Sequence, residues 1–90
     1  MNPDARIRIL IADDHVLVRE GIRNFLGTEP DLEIVGEAGD ADGAVALARA
    51  QAPDVAVLDL RMPGGGVAAT RRIREVSAAT QVVILTSFED

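Results

Sequence analysis

Asp59 closes an apolar run, Val55-Ala56-Val57-Leu58, and is followed at once by Leu60-Arg61-Met62-Pro63-Gly64-Gly65-Gly66. A carboxylate directly behind a run of that kind is costly to place unless something uses it. Asp13 and Asp14 stand in the equivalent place behind Ile7-Arg8-Ile9-Leu10-Ile11-Ala12, and Thr86 ends Gln81-Val82-Val83-Ile84-Leu85-Thr86. Three carboxylates meeting in one depression repel one another unless a cation neutralises them. A hard divalent ion with oxygen ligands, Mg2+, suits such a set, with waters and a phosphoryl oxygen completing its shell. Such an ion also draws charge off a phosphoryl group, so that an oxygen of Asp59 could attack phosphorus and form an aspartyl phosphate. The Thr86 hydroxyl, at the same rim, could hydrogen-bond a phosphoryl oxygen.

Each of these residues also has a plainer reading. Adjacent Asp residues at a strand–helix junction cap helices. Asp59 could form a turn ahead of Pro63, and Thr86 is a β-former. His15, the one histidine of the chain, reads as a helix-start residue with no metal partner spaced around it. Gly64-Gly65-Gly66 reads as a flexible turn rather than a phosphate cradle, since no Lys-Ser/Thr follows. The joint pattern outweighs its parts, because acids and a threonine at strand ends in one register are hard to obtain by capping alone.

The elements that must position these residues follow from periodicity. Ile7 to Ala12 is β-branched and apolar, a strand buried on both faces towards its end. From Val16 to Leu26 the period becomes helical, with Val18, Ile22, Phe25 and Leu26 on one side and Arg19, Glu20, Arg23 and Asn24 on the other. Asp14 is placed near the N-cap of this helix, and Gly27 fits the residue after its end. Leu32 to Ala38 reads as a second, more exposed strand. Asp40 offers an N-cap to an Ala-rich helix with Ala44, Leu47, Ala48 and Gln51 on one side, ended by Pro53. Asp54 to Asp59 is the third strand. Val67 to Val76 is a helix with Ala69, Ile73 and Val76 inward, Ser77 to Thr80 a loop, and Gln81 to Thr86 a fourth strand. Strands alternating with helices imply right-handed crossovers and a parallel α/β sheet. In such doubly wound sheets ligands bind beyond the C-terminal strand ends, where Asp13, Asp14, Asp59 and Thr86 all fall.

Bulk properties narrow the classes. Ninety residues make one small domain at most. A net charge of −6 offers no basic footprint for nucleic acid. There is no cysteine for thiol chemistry or a Cys-ligated zinc, and every basic residue is Arg. No apolar stretch reaches transmembrane length, and residues 1–5 lack the form of a signal peptide, so a cytoplasmic domain without membrane partners is expected.

The chain resembles the receiver domain of two-component response regulators, and within it the branch carrying a LuxR-type helix-turn-helix, the NarL/FixJ group. The resemblance runs from about residue 6 to 90. It is carried by Ile9-Leu10-Ile11-Ala12-Asp13-Asp14-His15, Leu17-Val18-Arg19-Glu20-Gly21, Pro53 to Pro63 with its Asp-Leu-Arg-Met-Pro block, Ala69-Thr70-Arg71-Arg72-Ile73-Arg74 and Val83-Ile84-Leu85-Thr86. It implies a flavodoxin-like doubly wound sheet, of which this chain would hold strands 1–4 and helices 1–3 in the order 2-1-3-4. It implies Asp59 as phosphoacceptor, served by a histidine kinase or a small phosphodonor. It implies Mg2+ held directly by Asp14, Asp59 and the Arg61 backbone carbonyl, and by Asp13 through water. It makes Thr86 the switch hydroxyl and Met62, Pro63 and Gly64 the adjoining loop.

Two departures from the family pattern set further expectations. The Pro63 to Val67 loop is one residue shorter than the usual spacing of this branch. Residues 1–90 hold no counterpart of the family's fourth helix, fifth strand and fifth helix, of its lysine, or of a DNA-binding domain, so DNA would be reached only through a C-terminal domain. The fourth strand becomes a sheet edge and one sheet face stays uncovered, which predicts a homodimer or other association through either. Without the lysine, phosphorylation of this segment is expected to be poor.

Two other classes compete. An Asp-nucleophile phosphatase favours a second acid two residues after the nucleophile, and that position is Arg61, so no enzyme is expected. The other is a receiver-like interaction module that is not phosphorylated.

Overall fold

The computed structural model describes residues 5–86. The span of the resemblance ends at residue 90, and its last four residues lie outside the described ones. The elements are β1 (Ile7–Ala12), α1 (Val16–Gly27), β2 (Leu32–Ala38), α2 (Ala41–Gln51), β3 (Val55–Asp59), α3 (Gly66–Val76) and β4 (Gln81–Leu85). The strands form one parallel sheet in the order β2-β1-β3-β4, the flavodoxin-like doubly wound arrangement expected.

Side-chain alternation along the strands sorts the two faces. Leu10 and Ala12 of β1, with Ala56 and Leu58 of β3, point into the main core, where they meet Ala41, Ala44, Val45 and Ala48 of α2 and Ala69 and Ile73 of α3. The alanines are the reason α2 and α3 lie so close to the sheet: Ala44, Ala48 and Ala69 are fully buried and fill the contact with a single methyl each. Leu58 and Ile73 are fully buried too, and burying a side chain of that size contributes about 1.5–3 kcal/mol. An Arg72–Asp42 ion pair of 2.7 Å joins α3 to α2 at the surface.

Among the described residues the opposite face is covered only by α1. Ile9 and Ile11 are buried there, but α1 itself has no fully buried residue. Val18, Ile22, Phe25 and Leu26 do face the sheet, and with Val57, Val83 and Leu85 they line an apolar depression of about 480 Å³. Phe25 is 77% exposed and Leu85 40%. Among the described residues β4 pairs with β3 alone, so it is a sheet edge as expected.

Several boundaries differ from the sequence reading. Asp14 does not cap α1: the N-cap is His15, and no side chain accepts from the first turn. Gly27 is the last residue of the helix rather than its terminator, because Thr28 closes it with a hydroxyl bond to the Phe25 carbonyl, 2.9 Å. Asp40 caps α2 as expected, accepting from Gly43 N at 2.7 Å. That helix buries Val45 while Gln51 is exposed. Its end is set by Ala52 in the left-handed conformation, φ 44°. Asp54 lies just outside β3, where its carboxylate accepts from Arg8 N at 2.9 Å. α3 starts one residue early, at Gly66, and Thr86 lies just beyond β4.

Candidate phosphoacceptor and metal site

The site is assembled at the C-terminal ends of β1 and β3, which are direct neighbours in register, Ala12 opposite Leu58. Asp13 leaves β1 and Asp59 ends β3, so both carboxylates emerge on the same edge of the sheet. Asp13 is 5% exposed and Asp59 7%. Ligand atoms of Asp13, Asp14, His15 and Asp59 all lie within 4.8 Å of one another. The convergence expected of the three acids is therefore present, and none of them is absorbed by capping.

Local hydrogen bonds hold this arrangement. Asp13 Oδ1 accepts from His15 N at 2.8 Å, a tight turn that sends Asp14 outwards. The Asp13 backbone is held from both sides: its N–H donates to Ala38 O at 3.0 Å and its carbonyl accepts from Arg19 at 2.7 Å. Asp59 Oδ1 accepts from Arg61 N at 3.2 Å. Among the described residues that is the only hydrogen bond to the Asp59 side chain, which leaves Oδ2 free for another partner. Leu60 N donates to Leu85 O at 3.1 Å, which ties the residue after Asp59 to the residue before Thr86. Thr86 lines the same depression as Asp13, His15 and Asp59, together with Val18, Ile22 and Leu85.

The loop residues have structural work. Met62 is buried in the main core, and the Pro63 carbonyl accepts from Ala41 N at 2.9 Å, bracing the start of α2. Gly64 and Gly65 have positive φ, 87° and 82°. At Gly66 the backbone passes so close to β3 that a Cβ would stand 2.7 Å from Asp59 O. The three glycines let a short loop fold tightly under the carboxylate, and this, rather than loose flexibility, is their role.

The residue that sequence reasoning missed is His15. Its Nδ1 lies 3.2 Å from Asp13 Oδ1 and 3.1 Å from Asp14 Oδ1. The hydrogen bond with Asp13, then the negative charge of Asp14, raise the pKa of the imidazole above its ordinary value. The signal lay in its adjacency to the Asp pair. The helical period puts Arg19 on the outward side of α1, yet it reaches back to the Asp13 carbonyl and also pairs with Glu37 at 3.4 Å.

Hard carboxylate oxygens in this number and spacing fit a hard divalent cation, and receiver domains typically bind Mg2+ in an acidic pocket of this kind. Asp13, Asp14 and Asp59 are the carboxylates that could hold it.

Comparison with known proteins agrees with this geometry. Residues 9–90 match the response regulator receiver domain. The chain is 44% identical over 85 residues to the transcriptional regulatory protein LiaR of Bacillus subtilis, covering 93% of this chain and 40% of that protein. Among solved structures, the signal receiver domain of the response regulator NarL from Mycobacterium tuberculosis superposes with a TM-score of 0.88 at 36% identity, over 96% of this chain and 70% of that one. A LuxR-family response regulator from Aurantimonas sp. SI85-9A1 superposes with a TM-score of 0.86 at 42% identity, over 94% of this chain and 61% of that one. The chain spans about 40% of the length of the curated relative it matches. With its sheet order, its carboxylate pocket and these relatives, the chain belongs to the response regulator receiver domain family, among NarL/LuxR-type members.

Proposed function

We propose that Asp59 is the phosphoacceptor of this receiver domain and that Asp13, Asp14, Arg61 and Thr86 serve it. The observation that carries the reading is the buried Asp59 carboxylate, free at Oδ2, with carboxylate oxygens of Asp13 and Asp14 within 4.8 Å. Asp14, Asp59 and the Arg61 backbone carbonyl would hold Mg2+, and Asp13 would act through water. When bound, Mg2+ supplies charge neutralisation for the carboxylates and for the transferring phosphoryl group.

The chain's own residues do the rest. Arg61 N, bonded to Asp59 Oδ1, would fix the orientation of the carboxylate, and Asp59 lines the depression. An Asp59 oxygen attacks phosphorus, the bond from phosphorus to the donor breaks, and the donor leaves with that electron pair. From a phosphohistidine the imidazole leaves and takes up a proton; from an acyl phosphate a carboxylate leaves. Thr86 would then donate its hydroxyl to a phosphoryl oxygen and shift the end of β4, to which Leu60 is tied. Asp59 is modified once per chain rather than turned over, in keeping with receiver domains of transcriptional regulators, which are generally not enzymes.

A histidine kinase is the proposed donor. The proposed output is transcriptional, as in LiaR, through a LuxR-type DNA-binding domain C-terminal to the receiver in the whole protein, which would be cytoplasmic. Among the described residues no helix is long and apolar enough to cross a membrane. The apolar depression beside α1 and the edge strand β4 support association of this chain with a second copy.

The test is incorporation of label from a small acyl phosphate. Slow, Mg2+-dependent labelling that is lost in Asp59→Asn is expected. Labelling that persists in that variant, or its absence from the unaltered chain in the presence of Mg2+, would overturn the reading.

A further inference from the structure

The Asp13 peptide is tied on both sides to the end of β2. Its N–H donates to the Ala38 carbonyl at 3.0 Å. Its carbonyl accepts from Arg19 Nη1 at 2.7 Å, and Nε of the same guanidinium stands 3.4 Å from Glu37 Oε1. The other oxygen of Glu37 accepts from Arg23 Nη1 at 3.1 Å. Arg19 and Arg23 are four residues apart on α1 and so share one side of the helix. One carboxylate of β2 therefore holds both guanidiniums. Glu37 pairs with Ile11 in the sheet, and the Arg19 and Glu37 side chains are only 22% and 24% exposed. α1 has no fully buried residue, so polar contacts of this kind carry much of its attachment to the sheet.

Arg19 acts on the acid turn in two directions. Its N–H groups steady the Asp13 carbonyl, while its charge opposes a divalent ion nearby. A free arginine also has many rotamers, and pinning it to one carbonyl costs side-chain entropy. A carboxylate at Nε offsets both effects, because it cancels the charge and fixes the planar fork in the pose that reaches Asp13.

We propose that Glu37 is a positioning residue of the phosphotransfer site. It holds Arg19 on the Asp13 carbonyl and so sets the acid pair for Mg2+, without touching the ion or the phosphoryl group. This rests on the reading of the carboxylate pocket as the Mg2+ site.

Glu37→Gln keeps the length of the side chain and removes its charge. In metal-free protein the Asp13 and Asp14 amide resonances are expected to move in this variant, in the direction they take in Arg19→Met. Mg2+ affinity is read by calorimetry in about 0.5 M KCl, where longer-range fields are screened, and at a temperature where every variant is fully folded. Glu37→Gln is expected to weaken it roughly threefold, the scale of a partly exposed ion pair, and to weaken it no further when added to Arg19→Met. Arg23→Met breaks the neighbouring contact but leaves Arg19 in place, and should leave Mg2+ affinity unchanged. Unmoved amides or undiminished affinity in Glu37→Gln overturn the proposal. So does an equal loss in the Arg19→Met background, which makes the effect one of field alone, or an equal loss in Arg23→Met, which makes it a general loosening of α1. If Glu37→Gln has no effect while Asp59→Asn weakens Mg2+ binding, the Mg2+ site stands and only the role of Glu37 falls. If Asp59→Asn leaves the affinity unchanged, the Mg2+ site itself is refuted.

Discussion

The Arg19 guanidinium donates to the Asp13 carbonyl at 2.7 Å, fastening α1 across the turn that carries the acid pair. The same side chain meets Glu37 of β2 at 3.4 Å, so one residue braces the acid turn against two elements. Arg19→Met removes both contacts from a side chain only 22% exposed. A loss of about 1–2 kcal/mol is expected, read as a lower denaturant midpoint with unchanged slope. Mg2+ affinity should fall with it, because the Asp13-Asp14 turn is then held from one side only.

His15 predicts a pH dependence. Its pKa is raised in the folded chain above 6.5, first by the hydrogen bond to Asp13 and then by the charge of Asp14. The protonated form is therefore favoured by folding. Its contribution to stability is fully present below the unfolded value of 6.5 and is lost as the pH rises through the folded value. Denaturation midpoints of metal-free protein should fall across that window, and His15→Asn should flatten the profile. Proton NMR of the single imidazole should show the pKa drop towards its ordinary value in Asp13→Asn. An unchanged pKa in that variant would contradict the assignment.

Thr86 lies on the rim of the depression that holds Asp59 and is exposed. Thr86→Ala should leave stability within about 0.5 kcal/mol. It should weaken binding of a beryllofluoride phosphate mimic roughly tenfold, the worth of one hydrogen bond to a charged group. Thr86→Ser should restore most of that affinity, because the hydroxyl remains.

These residues also show what could be read from the sequence. The strands were legible because Val55 to Leu58 and Ile7 to Ala12 cannot be amphipathic helices, whereas the sheet order came only from the resemblance to receiver domains. The ends of α1 were not legible. Asp14 looks like a cap and Gly27 like a terminator, but the chain uses the His15 backbone at one end and the Thr28 hydroxyl at the other. Local propensity could not separate these options, since tertiary demand on the acid pair decided which residue was free to cap. His15 was invisible for a related reason: a lone histidine acquires meaning only when a turn brings it against carboxylates supplied by two strands.

The glycines of the Pro63–Val67 loop differ in what they tolerate. At Gly66 an added methyl would stand 2.7 Å from Asp59 O and 2.9 Å from Leu60 Cα, both backbone atoms that cannot swing aside. Gly66→Ala should cost about 1–3 kcal/mol and displace Asp59, so Mg2+ binding should suffer as well as stability. Gly21 is the control. It sits inside α1 with nothing within 4 Å of its would-be Cβ. Gly21→Ala should stabilise by about 0.5–1 kcal/mol through helix propensity. Thermal and denaturant melts of the two variants should move in opposite directions.

The apolar depression beside α1 gives the last prediction. Phe25 is 77% exposed at its edge and Val83 46%, while Leu85 opens onto both the depression and the carboxylate pocket. Apolar surface gathered in this way drives association at about 25 cal/mol per Å² removed from water. The proposed pairing of two copies should therefore depend on Phe25 far more than folding does, because this side chain buries little within its own chain. Phe25→Glu is expected to shift sedimentation towards the monomer and leave the denaturation midpoint nearly unchanged. Gln81→Lys, on the exposed edge of β4 and outside the depression, separates the two candidate surfaces. Dissociation by Phe25→Glu alone assigns the contact to the depression, dissociation by Gln81→Lys alone assigns it to the strand edge, and a monomer before either substitution refutes the pairing.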